Sequence, residues 1–126
     1  MPGKRMPDTR RAAPLRLAGM STPLMLTTDP GTGLTVENDV DGSRYRIHDG
    51  ADYLGLIDYT LRADGTVLAM THTEVLPGRQ GAGVAGVMAK AALDDVRARQ
   101  LSVDPVCPYI ARFIRRHTEY ADLVAG

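Results

Sequence analysis

A chain of 126 residues, 44% hydrophobic and 24% charged, has the size and make-up of one globular domain. Its 15 basic and 15 acidic side chains cancel to a formal net charge of zero, so no overall field draws in nucleic acid or an anionic membrane, and neither is expected as a partner. No apolar run approaches the ~20 residues that span a bilayer. The single cysteine, Cys107, excludes an internal disulfide framework and suits a reducing, cytoplasmic setting.

Residues 1–33 stand apart from the rest. They carry five basic residues (Lys4, Arg5, Arg10, Arg11, Arg16) and two acidic ones (Asp8, Asp29), with prolines and no sustained apolar period. This composition predicts a flexible leader. A secretory signal would need an apolar core from Leu15 to Leu26, which Arg16, Gly19 and Pro23 interrupt. The Arg bias suits an organelle transit peptide better, and Met20 and Met25 offer alternative starts just ahead of the domain. The domain is expected over residues 34–126.

From Leu34 the pattern alternates. Leu34, Val36 and Val40 interleave with polar positions, and Asp41-Gly42 is a hairpin signal. Ser43 to His48 alternates again around Tyr45 and Ile47, and Asp49-Gly50 is a second turn. Tyr53 to Arg62 reads as a third strand, Ala63-Asp64-Gly65 as a third turn and Thr66 to Leu76 as a fourth strand. The period then changes. Val84, Val87, Met88, Ala91, Ala92 and Val96 recur at helical spacing within Ala82 to Gln100. Leu101 to Val106 is a short fifth strand. Pro108 suits the first position of a second helix through Ile110, Phe113 and Ile114, and His117 to Val124 closes the chain as a short turn or helix. The expected class is α/β.

The junction at Gln80-Gly81-Ala82-Gly83-Val84-Ala85 joins an apolar strand to a helix through glycine. A helix start offers unpaired backbone N–H groups and the positive end of the dipole, which favour phosphate. No Lys-Ser or Lys-Thr follows, so this is not a P-loop. Gly81, Gly83 and Gly86 satisfy GxGxxG, with Asp104 about 20 residues on, but the preceding strands read as an antiparallel meander and not as a parallel dinucleotide-binding unit.

The segment Val75-x-Pro77-x-x-Gln80-Gly81-x-Gly83-x-Ala85 resembles the acetyl-CoA signature of the GNAT superfamily of N-acetyltransferases, Q/R-x-x-G-x-G/A. Thr71-His72-Thr73-Glu74-Val75 before it, Pro105-Val106-Cys107-Pro108-Tyr109 after it and the late His117 to Leu123 resemble very short, stand-alone members. The resemblance covers residues 34–124. It implies a GNAT-like fold: a mostly antiparallel sheet of about five strands with two main helices, and acyl-CoA in the split between the fourth and fifth strands. Val75, Arg79, Gln80, Gly81, Ala82, Gly83, Val84, Ala85 and Tyr109 would bind acetyl-CoA, the co-substrate. The two-helix acceptor lid of larger members has no counterpart here.

Acetyl transfer from a thioester requires amine deprotonation, oxyanion stabilisation and protonation of the departing thiolate. His72 and Glu74 share one strand face and are candidate proton acceptors; the alternative is a polar pair at a solvated edge. Cys107 precedes Pro108 at a helix start, which lowers a thiol pKa. It is a candidate nucleophile or proton donor, against the ordinary role of a small buried apolar residue. The backbone N–H near Val75 is the oxyanion donor that the resemblance implies. Arg112, Arg115 and Arg116 would reach CoA phosphates or form a solvated face. Three His and one Cys do not suggest a metal centre. The expected activity is transfer of acetyl from CoA to a small-molecule or peptide amine. The alternative is an acyl-CoA binding module with little turnover. Exposed sheet edges in so short a domain leave room for a homodimer.

Overall fold

The computed structural model describes residues 24–28, 31–80 and 83–125. Six strands form one sheet in chain order: β1 (Leu24–Thr28), β2 (Leu34–Asp39), β3 (Arg44–Asp49), β4 (Asp52–Arg62), β5 (Val67–Val75) and β6 (Ser102–Pro105). Neighbours from β1 to β5 are antiparallel, and β6 runs parallel to β5. Helix α1 (Val84–Ala98) makes the crossover between β5 and β6. Helix α2 (Pro108–Arg116) and a 3-10 helix (Thr118–Leu123) follow.

Alternation sorts the sheet into two faces. Val36 lies opposite Ile47, and Tyr45 opposite Ile57. All four are buried in one core with Met88, Leu93 and Val96 of α1 and Ile110 and Phe113 of α2. Residues one position out of phase face away and form ion pairs, Arg46 with Asp39 at 2.7 Å and Arg44 with Asp58 at 2.9 Å. Burial of the apolar set removes it from water and fixes the register, because a one-residue slip would turn every side chain over.

A buried polar network seats α1 on this face. Asn38 is fully buried and donates to Asp95 (3.2 Å), while Tyr45 Oη–H donates to the same carboxylate (2.8 Å). Tyr59 Oη–H donates to the Asn38 carbonyl at 2.8 Å. One helical carboxylate is thereby tied to β2 and β3 directly and to β4 through Asn38, which fixes where the start of α1 falls relative to the end of β5. The 3-10 helix is held to α1 by Arg97 to Asp122 and by Tyr120 to Asp94.

The sheet has one strand more than the sequence predicts. Strand β1 lies inside the segment read as a leader, so the sheet begins before residue 34. It pairs with β2 through a register irregularity between Met25 and Thr27 and leaves Leu24 and Met25 exposed, so no clean alternation marks it. The rest of residues 1–23 lies outside the described residues, as do Gly81 and Ala82. Val40 sits exposed in the turn after β2, one residue past the strand. No helix among the described residues is long and apolar enough to cross a membrane.

Strands β5 and β6 stay together for four residues only. Val67 to Met70 pair with Ser102 to Pro105, and the last tie is Cys107 N–H to the Met70 carbonyl at 2.9 Å. Pro105 has no N–H to continue the ladder, and Pro108 turns the chain into α2. Strand β5 runs on from Thr71 to Val75 with β4 as its partner. The expected split therefore opens at Met70 and Pro105.

Candidate active site

The open edge of β5 follows from its register. Leu76 N–H donates to the Leu54 carbonyl at 2.8 Å, so Leu56 and Glu74, and Asp58 and His72, are the pairs that exchange hydrogen bonds. At the intervening pairs, Gly55 with Val75 and Ile57 with Thr73, the β5 backbone groups point toward the split. The Val75 carbonyl is taken by the Gln80 side-chain amide, Nε2 to O 3.2 Å. The Val75 N–H stays on the open edge, where the oxyanion donor was expected. Gly55 is required opposite: a Cβ there would stand 2.5 Å from the Glu74 carbonyl oxygen and 3.2 Å from the Val75 Cα.

Gly83 caps α1 in the left-handed conformation, φ 77°. No side chain caps the helix, and its first turn has no acidic residue, so the N–H groups of Val84, Ala85 and Gly86 keep their capacity for an anion. A groove of about 290 Å³ lies over them. Its lining comes from the end of β5 and the following turn (Val75, Arg79, Gln80), from the α1 start (Gly83, Val84, Ala85, Gly86) and from Tyr109. All the described residues assigned to acetyl-CoA from the sequence thus line one groove. Arg79 is loosely held, 3.9 Å from Asp49 and from Asp52.

A second groove of about 560 Å³ continues between the two helices and shares Gly83, Gly86 and Tyr109 with the first. Lys90, Arg112 and Arg116 line it, and Arg115 does not. The Arg112 guanidinium lies 6.0 Å from the Tyr109 ring centroid. His117 closes the end of α2: its ring stacks on Phe113 at 4.0 Å and its Nδ1 lies 2.9 Å from the Phe113 carbonyl.

Cys107 stands at the N-cap of α2, 6% exposed, with Sγ 3.4 Å from Thr73 Oγ1 across the split. Burial opposes the thiolate, but the Thr73 hydroxyl and the backbone N–H groups of Ile110, Tyr109 and Thr73 outweigh it and hold the thiol below the usual cysteine range. Thr73 was not among the residues singled out from sequence. A threonine between His72 and Glu74 has no distinctive type or spacing, and only the β5–β6 geometry reveals it.

His72 and Glu74 meet each other, Nε2 to Oε1 3.7 Å, and both are mostly exposed. They occupy the face of β5 opposite Thr73 and Val75, away from the helices. The three residues assigned to catalysis therefore form two groups on either side of one strand, His72 with Glu74 and Cys107 with Thr73. Burial raises the Tyr109 phenol above its ordinary value, with Arg112 and Arg116 opposing. Among the described residues, no group of His, Cys, Asp and Glu could hold a metal ion.

A sheet that parts at a thiol, beside a glycine-capped helix start with two adjoining grooves, is the frame of an acyltransferase. The chain belongs to the GCN5-related N-acetyl-transferase family, whose profile matches residues 44–123, from the start of β3 to the end of the 3-10 helix. The chain is similar to a GCN5-like protein from Staphylococcus aureus with a solution structure determined by NMR: 24% identity over 67% of this chain and 82% of that one, TM-score 0.49. It is also similar to nourseothricin acetyltransferase in its crystal structure: 19% identity over 75% of this chain and 66% of that one, TM-score 0.44.

Proposed function

We propose that the protein transfers acetyl from acetyl-CoA to the amine of a small molecule or peptide, with Cys107 at the reacting centre. The observation that carries this reading is the contact of the Cys107 thiol with the Thr73 hydroxyl across the split, on the same open edge of β5 that carries the Val75 N–H. The adjoining grooves run from bare helix N–H groups at one side to Arg112 and Arg116 at the other. Such a path suits a pyrophosphate and an anionic nucleotide attached to a thin acyl-bearing arm.

The residues divide the chemistry. Amides of Val84, Ala85 and Gly86 bind phosphate, and Arg79 adds charge beside them. The Val75 N–H faces the position where an oxyanion develops, and that interaction strengthens as charge forms. A thiol held below its usual range favours nucleophilic transfer. The Cys107 thiolate forms an S–C bond to the acetyl carbonyl as the S–C bond to CoA breaks, and the CoA sulfur takes a proton. An amine then forms an N–C bond and displaces the Cys107 sulfur. The proton lost by the amine goes to water, since the Glu74 and His72 pair lies on the other side of β5.

The test is acetyl-CoA binding and CoA release in Cys107→Ala and Glu74→Gln. The proposal expects binding to persist in both and CoA release with an amine present to fall at least tenfold in Cys107→Ala. If turnover occurs and Cys107→Ala does not lower it, the assignment is wrong.

A further inference from the structure

The open edge of β5 presents Thr73 on the same side as Val75 and opposite to His72 and Glu74. Its hydroxyl has one side-chain partner, the Cys107 sulfur at 3.4 Å. The bond spans two elements that have already parted, because β5 and β6 pair only as far as Met70 and Pro105. With the thiol protonated, S–H donates to Oγ1. With the thiol ionised, the sulfur only accepts, and the hydroxyl must turn to donate.

We infer that Thr73 is a positioning residue for acetyl transfer: its hydroxyl reverses its hydrogen bond to hold the ionised Cys107 sulfur at the open edge of β5. This rests on the role proposed above for Cys107. A hydroxyl rotates without moving heavy atoms, so the switch requires no rearrangement of the strand. A hydrogen bond to a charged group is worth roughly twice a neutral one, so the contact favours the ionised sulfur. The amides of Thr73, Tyr109 and Ile110 act in the same direction, and burial opposes them.

The elements meeting Cys107 carry other charged and titratable groups. On β5 these are His72 and Glu74, on the far face. On β6 it is Asp104, paired with Arg62 at 2.7 Å. On α2 they are Tyr109, Arg112, Arg115 and Arg116. The groups acting on the sulfur are instead the Thr73 hydroxyl and the three amides, set against burial, so removal of the hydroxyl has a readable effect.

The experiment is a pH titration of the thiolate by ultraviolet difference absorbance on the whole protein, with Cys107→Ala as the blank. The chain has one cysteine, so the difference from the Cys107→Ala blank, which carries the same five tyrosines, reports that thiolate alone. Thr73→Val keeps the shape and removes the hydroxyl; Thr73→Ser keeps the hydroxyl and removes the methyl. The thiolate fraction below the midpoint should fall about fivefold to tenfold in Thr73→Val and stay near the parent value in Thr73→Ser. Thr73→Ala should follow Thr73→Val, which guards against a packing effect of valine. A Thr73→Val titration that overlays the parent, or a Thr73→Ser titration displaced as far as Thr73→Val, overturns the inference. The readout needs neither acetyl-CoA nor turnover, so a failure of Cys107 itself in transfer registers separately, in the CoA-release assay.

Discussion

Gln80 reaches back to β5 and donates its side-chain N–H to the Val75 carbonyl at 3.2 Å. The first residue of the glycine-rich motif thereby occupies the one acceptor that Val75 turns toward the split, and leaves the Val75 N–H on the open edge. Gln80→Ala should therefore release the turn that precedes α1 without opening the core. The exposed bond contributes about 0.5–1.5 kcal/mol. Acetyl-CoA affinity by calorimetry should fall severalfold, with little change in thermal midpoint.

Gly83 holds a left-handed conformation at the N-cap of α1, φ 77°. A side chain there costs about 1–2 kcal/mol by crowding the following carbonyl, and asparagine less than alanine. Gly83→Ala should lower the thermal midpoint and weaken acetyl-CoA binding together, because the same strain displaces the N–H groups of Val84 and Ala85. Gly83→Asn should be milder in both measurements.

Arg112 and Arg116 line the groove between the helices and Arg115 does not. Removal of either of the first two should weaken acetyl-CoA binding about threefold to tenfold, the effect shrinking as salt rises. Arg115→Ala, on the same helix, should bind as the parent does. Equal losses in all three variants would mean general electrostatic attraction with no phosphate contact.

The buried network under α1 predicts a pH effect on stability. Burial, and then the Asp95 carboxylate, hold the Tyr45 phenol far above the tyrosine range. The folded state keeps a proton that the unfolded chain loses near its ordinary value of about 10. The stabilisation is therefore complete below about pH 10 and is lost as pH rises beyond it. Urea midpoints should fall across that range, and Tyr45→Phe should decline less steeply from a lower starting stability. Asp95→Ala strands both Tyr45 and Asn38 and should destabilise by about 2–4 kcal/mol at neutral pH.

Much of this architecture is legible in the residues. Val36, Tyr45 and Ile47 mark their strands because each has one dry and one wet face, and that alternation is written in the sequence. Gly83 and Pro108 mark the two helix starts because their backbone constraints are intrinsic. Strand β1 is not legible, since an exposed edge strand with an irregular register buries too little to impose a pattern. Thr73 is not legible either, because its importance depends on where β6 stops pairing. Spacing placed His72 and Glu74 on one face correctly, but could not tell that Cys107 meets the other face of the same strand.

The central claim is that the thioester reaches the point where β5 and β6 part. A structure with CoA bound measures this directly. The account predicts the CoA sulfur at the split, about 3.5–4 Å from Cys107 Sγ, with the pyrophosphate on the N–H groups of Val84 to Gly86. A CoA sulfur out of reach of Cys107, or a CoA molecule seated between β1 and α1 against Met25 and Asp94, would contradict it.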